Sequence, residues 1–204
     1  LTDHQGIMKH ILNRLNIDDM LVTKGVVDAL DHSSPKFAVG GKLGLDCTGD
    51  EITELGIILL KDNELLERMK AITSEVKDLK QYFTDTKNPI AVISVEKTRN
   101  QKYLFEDLKP LFEHIKILII VENNKNDVNN SYMLVWRVAN NIDSNRDLFI
   151  DGHTMCLDAT NKNAFDNFNR RWPDDVDCSK EVIESLRERK IIDVSDEFIN
   201  KFYL

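Results

Sequence analysis

Two short runs decide what this chain can become. Residues 90–95 read Ile-Ala-Val-Ile-Ser-Val, and residues 115–121 read Ile-Lys-Ile-Leu-Ile-Ile-Val. Continuous β-branched runs of this length, with no polar alternation, mark strands covered on both faces, as in parallel sheets. Between them Leu104, Phe105, Leu108, Leu111, Phe112 and Ile115 recur at helical spacing, with Pro110 placed to kink or restart the helix. Strand, helix and strand in this order form a βαβ unit, expected to cross over right-handed. The expected class is therefore α/β: a three-layer, Rossmann-like domain with a mostly parallel sheet and C-terminal helices.

The flanking sequence extends this scheme. A helix is predicted over Asp3–Leu15, capped by Asp3, and a strand over Met20–Gly25. An irregular stretch rich in glycine follows to Asp50, then a strand over Glu54–Leu60. Leu65, Leu66, Met69, Ile72, Val76, Leu79 and Phe83 form one stripe, which predicts a single helix over Glu64–Phe83. The turn Thr84–Pro89 is the only break the sequence offers, so one domain over 1–204 is expected, subdivided if at all into 1–85 and 86–204. A helix over Ser131–Ile142 should turn Met133, Trp136 and Ala139 inward, followed by strands at "DLFI" and "TMCLDA". Ser179 and Ser195 cap two tail helices, and Phe198, Phe202 and Tyr203 offer a subunit interface.

Charge narrows the function classes. Against 27 Lys and Arg stand 35 Asp and Glu, a net charge of −8, which argues against a nucleic-acid partner. No apolar run reaches the ~18 residues of a membrane span. Cys47, Cys156 and Cys178 are too few and too scattered for a disulfide frame or a zinc site, and read as reduced thiols in a cytoplasmic protein. The opening residues already look helical and carry no initiator Met, so the chain reads as part of something longer.

The two ends echo one another. "ILNRLNIDDMLVTKG" leads, after the insertion Val26–Gly40, to "LGLDCTGD"; "WRVANNIDSNRDLFIDG" leads directly to "MCLDATNK". Each copy is a helix, a polar turn, a strand ending in Gly, then Leu-Asp-x-Thr, so Asp46 and Thr48 match Asp158 and Thr160. This changes the reading of the glycine-rich stretch Ser33–Asp50. Lys42 is followed by Leu43 with no helix behind it, and the glycine spacing fits neither a Walker A loop nor a dinucleotide fingerprint. The stretch is better read as a packed loop in which glycines allow close approach or positive φ. His32, beside Asp28 and Asp31, is able to form an acid–base pair, although no nucleophile lies near it in sequence. The candidate pocket or interface residues are His32, Lys42, Asp46, Thr48, Asp158 and Thr160. "ENNKNDVNN" lacks the turn glycine and final Glu of an EF-hand, and "RRWPDD" (Arg170–Asp175) reads as a salt-bridged interface or a packed turn.

Taken in order, "DALDHSSPKFAVGGKLGLDCTG", "KILIIVENNKNDVNNSYMLVWRVANNIDSNRDLFI" and "LDATNKNAFDNFNRRWPDD" resemble the C-terminal part of UbiD-type decarboxylases. The resemblance runs from about His10 to Asp177 and rests on Trp136, Asp143, Arg146, Asp147, Asp158, Ala159, Thr160 and Lys162. It implies a parent enzyme using prenylated FMN with a divalent metal (Mn or Mg) and K, bound on an N-terminal flavin-binding domain. That parent would decarboxylate an aromatic, polyprenyl-hydroxybenzoate-like acid in quinone biosynthesis, and would touch a membrane only through a lipophilic substrate. The C-terminal domain would serve assembly, as a homo-oligomer, and pocket closure. None of the family's catalytic stretches is matched here, so no catalytic, cofactor-binding or metal residue is carried over and no cofactor is expected on this chain. The alternatives are a free-standing nucleotide- or ligand-binding module and a pure dimerisation domain.

Overall fold

The two apolar runs form the centre of the sheet in the computed structural model, which describes residues 3–54 and 56–202. Strand β4 (Ile90–Val95) is buried at every position and pairs parallel with β5 (Ile117–Glu122). Between them lie α3 (Gln101–Asp107) and a 3₁₀ turn at Lys109–His114, which Pro110 opens as expected. Five strands make the sheet, in the order β3-β4-β5-β7-β6. The edge strands β3 (Val76–Tyr82) and β6 (Leu148–Asp151) run antiparallel to their neighbours, and β7 (Thr154–Asp158) runs parallel to β5.

Both faces of the sheet are covered, giving the three layers. Leu65 and Met69 of α2 (Asp62–Ile72) join Leu104 and Leu108 over Ile93, Leu118 and Ile120. On the opposite face Leu12 of α1 (His4–Leu12) and Leu134 of α4 (Ser131–Asn141) pack with Val92, Val121 and Ala159. The tail carries α6 (Lys180–Glu188) and α7 (Asp196–Asn200), capped by Ser179 and Ser195 as expected.

Several predicted elements differ. The helix expected over Glu64–Phe83 ends at Ile72, and β3 follows. A β-bulge between Val76 and Asp78 lets Val76, Leu79 and Gln81 all point inward, so the strand imitates a helical i, i+3 step. The turn at 84–89 therefore joins two paired strands of one sheet. Residues 56–60 form no strand; Leu55 lies outside the described residues. The glycine-rich stretch is a strand rather than a loop: β1 (Met20–Val26) and β2 (Val39–Leu45) form a separate antiparallel hairpin. On α4 the inward face is Met133, Leu134, Arg137 and Asn141, while Trp136 and Ala139 face outward.

The two sequence copies fold alike. In each, a helix leads through a short helical turn, at Ile17–Asp19 or α5 (Ser144–Asp147), into a hairpin that ends in Asp-x-Thr. The register matches as well. Met20 pairs with Leu45, which precedes Asp46, and Leu148 pairs with Leu157, which precedes Asp158. In both copies the Thr amide (3.0 Å) and hydroxyl (2.7 and 2.6 Å) donate to Oδ1 of the Asp. The glycines of β2 serve close approach, as expected, though without positive φ. A Cβ on Gly41 would lie 2.6 Å from the Asn145 backbone nitrogen, and one on Gly40 would lie 2.8 Å from Asp143 Oδ2.

Candidate functional site

Ligand sites in open α/β sheets lie at the carboxyl ends of the parallel strands. Here that edge holds Lys97 just past β4, Glu122 at the end of β5 and Asp158 at the end of β7. Asp158 is buried, and its Oδ2 accepts from Lys162 Nζ at 2.8 Å. Lys162, also buried, donates to the Asp158 carbonyl at 2.7 Å and lies 3.4 Å from Asp147 Oδ1. Arg146 grips Asp147 with Nε and Nη2, both at 2.7 Å. Lys97 Nζ crosses from the other side to Asp166 Oδ2 (2.6 Å), Thr160 Oγ1 (2.9 Å) and the Asn161 carbonyl (2.8 Å). Two buried lysines thus pin the 158–166 loop from opposite sides.

Burial drives the electrostatics. It pushes the Asp158 carboxyl up, but Lys162 and Lys97 outweigh it and hold the group below the ordinary range. Asp147 goes the other way: burial exceeds the pull of Lys162 and Arg146, and its carboxyl sits high. Sharing one ammonium, the two titrate as a pair. Glu122 is raised by burial, with Lys97 and Lys162 opposing. The buried thiol of Cys156 is pushed well up, which leaves it inert.

The insertion Val26–Gly40 fastens onto this network. Arg146 Nη1 donates to the Ser33 carbonyl at 2.8 Å, and Arg170 Nη1 to the Ser34 carbonyl at 2.8 Å. His32 lies edge-on to Trp172 at 4.8 Å, with Nε2 3.5 Å from Asn141 Oδ1. Asn141 Nδ2 in turn donates to the Ala159 carbonyl at 2.9 Å. The Asp–His pair envisaged for His32 does not form. Asp31 Oδ1 accepts from the Ser33 amide and hydroxyl, and Asp28 Oδ1 from the Leu30 amide. The segment Arg170–Asp175 is fastened to the rest of the chain by ion pairs, with Asp175 accepting from buried Arg137 at 2.8 Å and from Lys125 at 3.1 Å.

The structure therefore links His32 through Asn141 to the Ala159 carbonyl, between Asp158 and Thr160, and leaves Lys42, Asp46 and Thr48 exposed on the first hairpin. Lys97, Asn141, Arg137 and Asp166 escaped the sequence reading. Lys97 had one signal, its position directly beyond a buried strand. Among the described residues Lys97, Arg146 and Lys162 are each held by a buried aspartate, whereas the Glu122 carboxylate has no ion-pair partner. Beside this network lies a depression of about 450 Å³, lined by Ser94, Asn123, Asn126, Asp127 and Met133 among others.

Residues 1–47 and 57–183 match the family described as the 3-octaprenyl-4-hydroxybenzoate carboxy-lyase C-terminal domain, UbiD_C. The chain belongs to this UbiD family. It is 43% and 42% identical, over its whole length, to uncharacterized proteins from two strains of Helicobacter pylori, and it spans 33% of each. Among solved structures it is similar to the UbiD-class enzyme HmfF from Pelotomaculum thermopropionicum in complex with prFMN. There the identity is 23% and the TM-score 0.44, over 55% of this chain and 26% of that one. Against the closed form of Sedimentibacter hydroxybenzoicus vanillic acid decarboxylase the identity is 19% and the TM-score 0.48, over 62% of this chain and 30% of that one. The described residues of this UbiD domain offer no ready set of metal ligands. The buried carboxylates are already engaged by Lys97, Arg146 and Lys162, and no group of three or more His, Cys, Asp or Glu among the described residues is placed to hold a metal.

Proposed function

We propose that this chain is the assembly and pocket-closing domain of a prenylated-FMN-dependent decarboxylase. The observation that carries the reading is the family match over most of the chain, joined to a strand-end site whose cations are held by buried aspartates. A site of that kind shapes loops and does no chemistry of its own. The flavin, with its divalent metal and K, belongs on an N-terminal domain of the parent enzyme. Bound there, it supplies the electron sink for CO₂ loss. The substrate class is an aromatic, polyprenyl-hydroxybenzoate-like acid in quinone biosynthesis, handled in the cytoplasm, with membrane proximity only through a lipophilic substrate. Half-exposed Phe198 and Phe202 suit a homo-oligomer contact; Tyr203 lies outside the described residues. No helix among the described residues is long and apolar enough to cross a membrane.

The test is to load the complete protein and the 204-residue chain separately with prenylated FMN and follow flavin absorbance through gel filtration. CO₂ release from a panel of hydroxybenzoic acids is assayed in parallel. The complete protein should retain flavin and release CO₂, and the short chain should do neither. Stoichiometric flavin on the short chain, or an inactive flavin-loaded complete protein, would sink the reading.

A further inference from the structure

The two hairpins have the same register and the same terminal turn, but different surroundings. The free edge of β7 is filled: Met155, Cys156, Leu157 and Asp158 pair in parallel with Ile117–Ile120 of β5. The turn that follows is filled as well, because Lys97 Nζ reaches Thr160 Oγ1 and Lys162 Nζ reaches Asp158 Oδ2. By register the equivalents in the first copy are Leu43, Gly44, Leu45 and Asp46, then Thr48. No strand among the described residues pairs with that edge of β2, and no cation there reaches Asp46.

The edge is half closed already, which shows which way it faces. The Gly41 amide points away from β1 and donates to Asp143 Oδ2 at 2.7 Å. Strand alternation then puts the backbone groups of Leu43 and Leu45 on the same edge, beyond the reach of α5. Gly44, Leu45, Asp46 and Thr48 are exposed, and so is the cross-strand residue Leu21. An exposed edge with flanking apolar side chains is a template for strand addition. The unpaired carboxylate at its end adds a preference for a cation.

We propose that the open edge Leu43–Leu45 docks an extended strand, parallel to β2, and that the Asp46–Thr48 turn receives a lysine from a neighbouring segment. We assign that strand to the N-terminal part of the same enzyme. The assignment rests on the reading of this chain as one domain of a longer decarboxylase; its curated relatives are about three times as long. The second copy provides the template. There β5 supplies the ladder, while the cations come from other segments: Lys97, past β4, on Thr160 Oγ1, and Lys162, in the loop itself, on Asp158 Oδ2.

The experiment uses the complete protein. Amide hydrogen exchange should protect Leu43 and Leu45 to the level of Leu118 and Ile120. Carbodiimide coupling should join Asp46 to a lysine outside residues 1–204. Asp46→Lys should abolish the coupling and release the two amides, and Asp46→Asn should abolish the coupling while leaving them partly protected. Fast exchange of Leu43 and Leu45 in the wild type would overturn the proposal. So would Asp46 coupled only to a second copy of residues 1–204 in mixed isotope-labelled samples. CO₂ release by the wild-type protein reports separately on the decarboxylase reading: coupling without decarboxylation would refute that reading and keep the docking site.

Discussion

Lys162 has no exposed side-chain surface, and its ammonium is held between two carboxylates. Substituting Lys162→Met leaves Asp158 and Asp147 buried without it, and removing one partner of a buried pair typically costs about 3–5 kcal/mol. Urea unfolding of Lys162→Met should show a loss of that size. Lys42→Ala, on the exposed hairpin, should stay within about 0.5 kcal/mol. Glu122 gives a pH-dependent test. Burial raises its folded carboxyl above the ordinary value of 4.5, so the unfolded chain gives up its proton first as pH rises. Ionised Glu122 therefore costs stability at neutral pH. Glu122→Gln should raise the melting temperature at pH 7, and the gain should fade as pH drops below 4.5; an unchanged gain at low pH would contradict this. These residues were unevenly legible. Asp158 and Thr160 stood out because the chain repeats them. Lys97 and Asn141 did not, because a polar residue on a buried face looks, in one sequence, like a solvated one.

At the scale of elements, the buried parallel strands were legible because burial on both faces leaves no room for polar residues. The strands β2 and β3 were not. In β3 a bulge places Val76 and Leu79 on one face, which reads as helix. In β2 the glycines hid a strand, since their role is to admit α5 rather than to turn the chain. Two substitutions separate these roles. Gly41→Ala drives a Cβ to 2.6 Å from the Asn145 backbone nitrogen and from Ser144 Oγ, and should cost about 1–3 kcal/mol, as overpacking does. At Gly44 the nearest atoms to a Cβ lie 3.7 and 3.8 Å away, so Gly44→Ala should be neutral or stabilising by up to about 1 kcal/mol. Thermal denaturation of the pair, measured on residues 1–204, checks the contrast.

Across the whole molecule, stability is unevenly distributed. The sheet and its two cores hold the apolar residues, whereas α6 and α7 bury none. The tail touches α4 through Tyr132 on Phe202, with ring centroids 4.8 Å apart, and through Asn130 Nδ2 on the Lys201 carbonyl at 3.2 Å. Local opening should begin there. Limited proteolysis should cut first between Cys178 and Ser195 and leave a core ending near Asp175, which Arg137 and Lys125 retain. Early cleavage in β4 or β5 would contradict that order. The buried ion network sets the direction in which the core itself is weakest. Stripping water from charges becomes less costly as temperature rises, so warming erodes this centre slowly. Protons act on it in two senses: the stability lent by the depressed carboxyl of Asp158 exists above the ordinary carboxylate range and disappears as pH falls through its folded value, whereas the raised carboxyls of Asp147 and Glu122 are relieved as they take up protons. A fold knit together in this way answers to acid group by group, where it answers to heat as one centre.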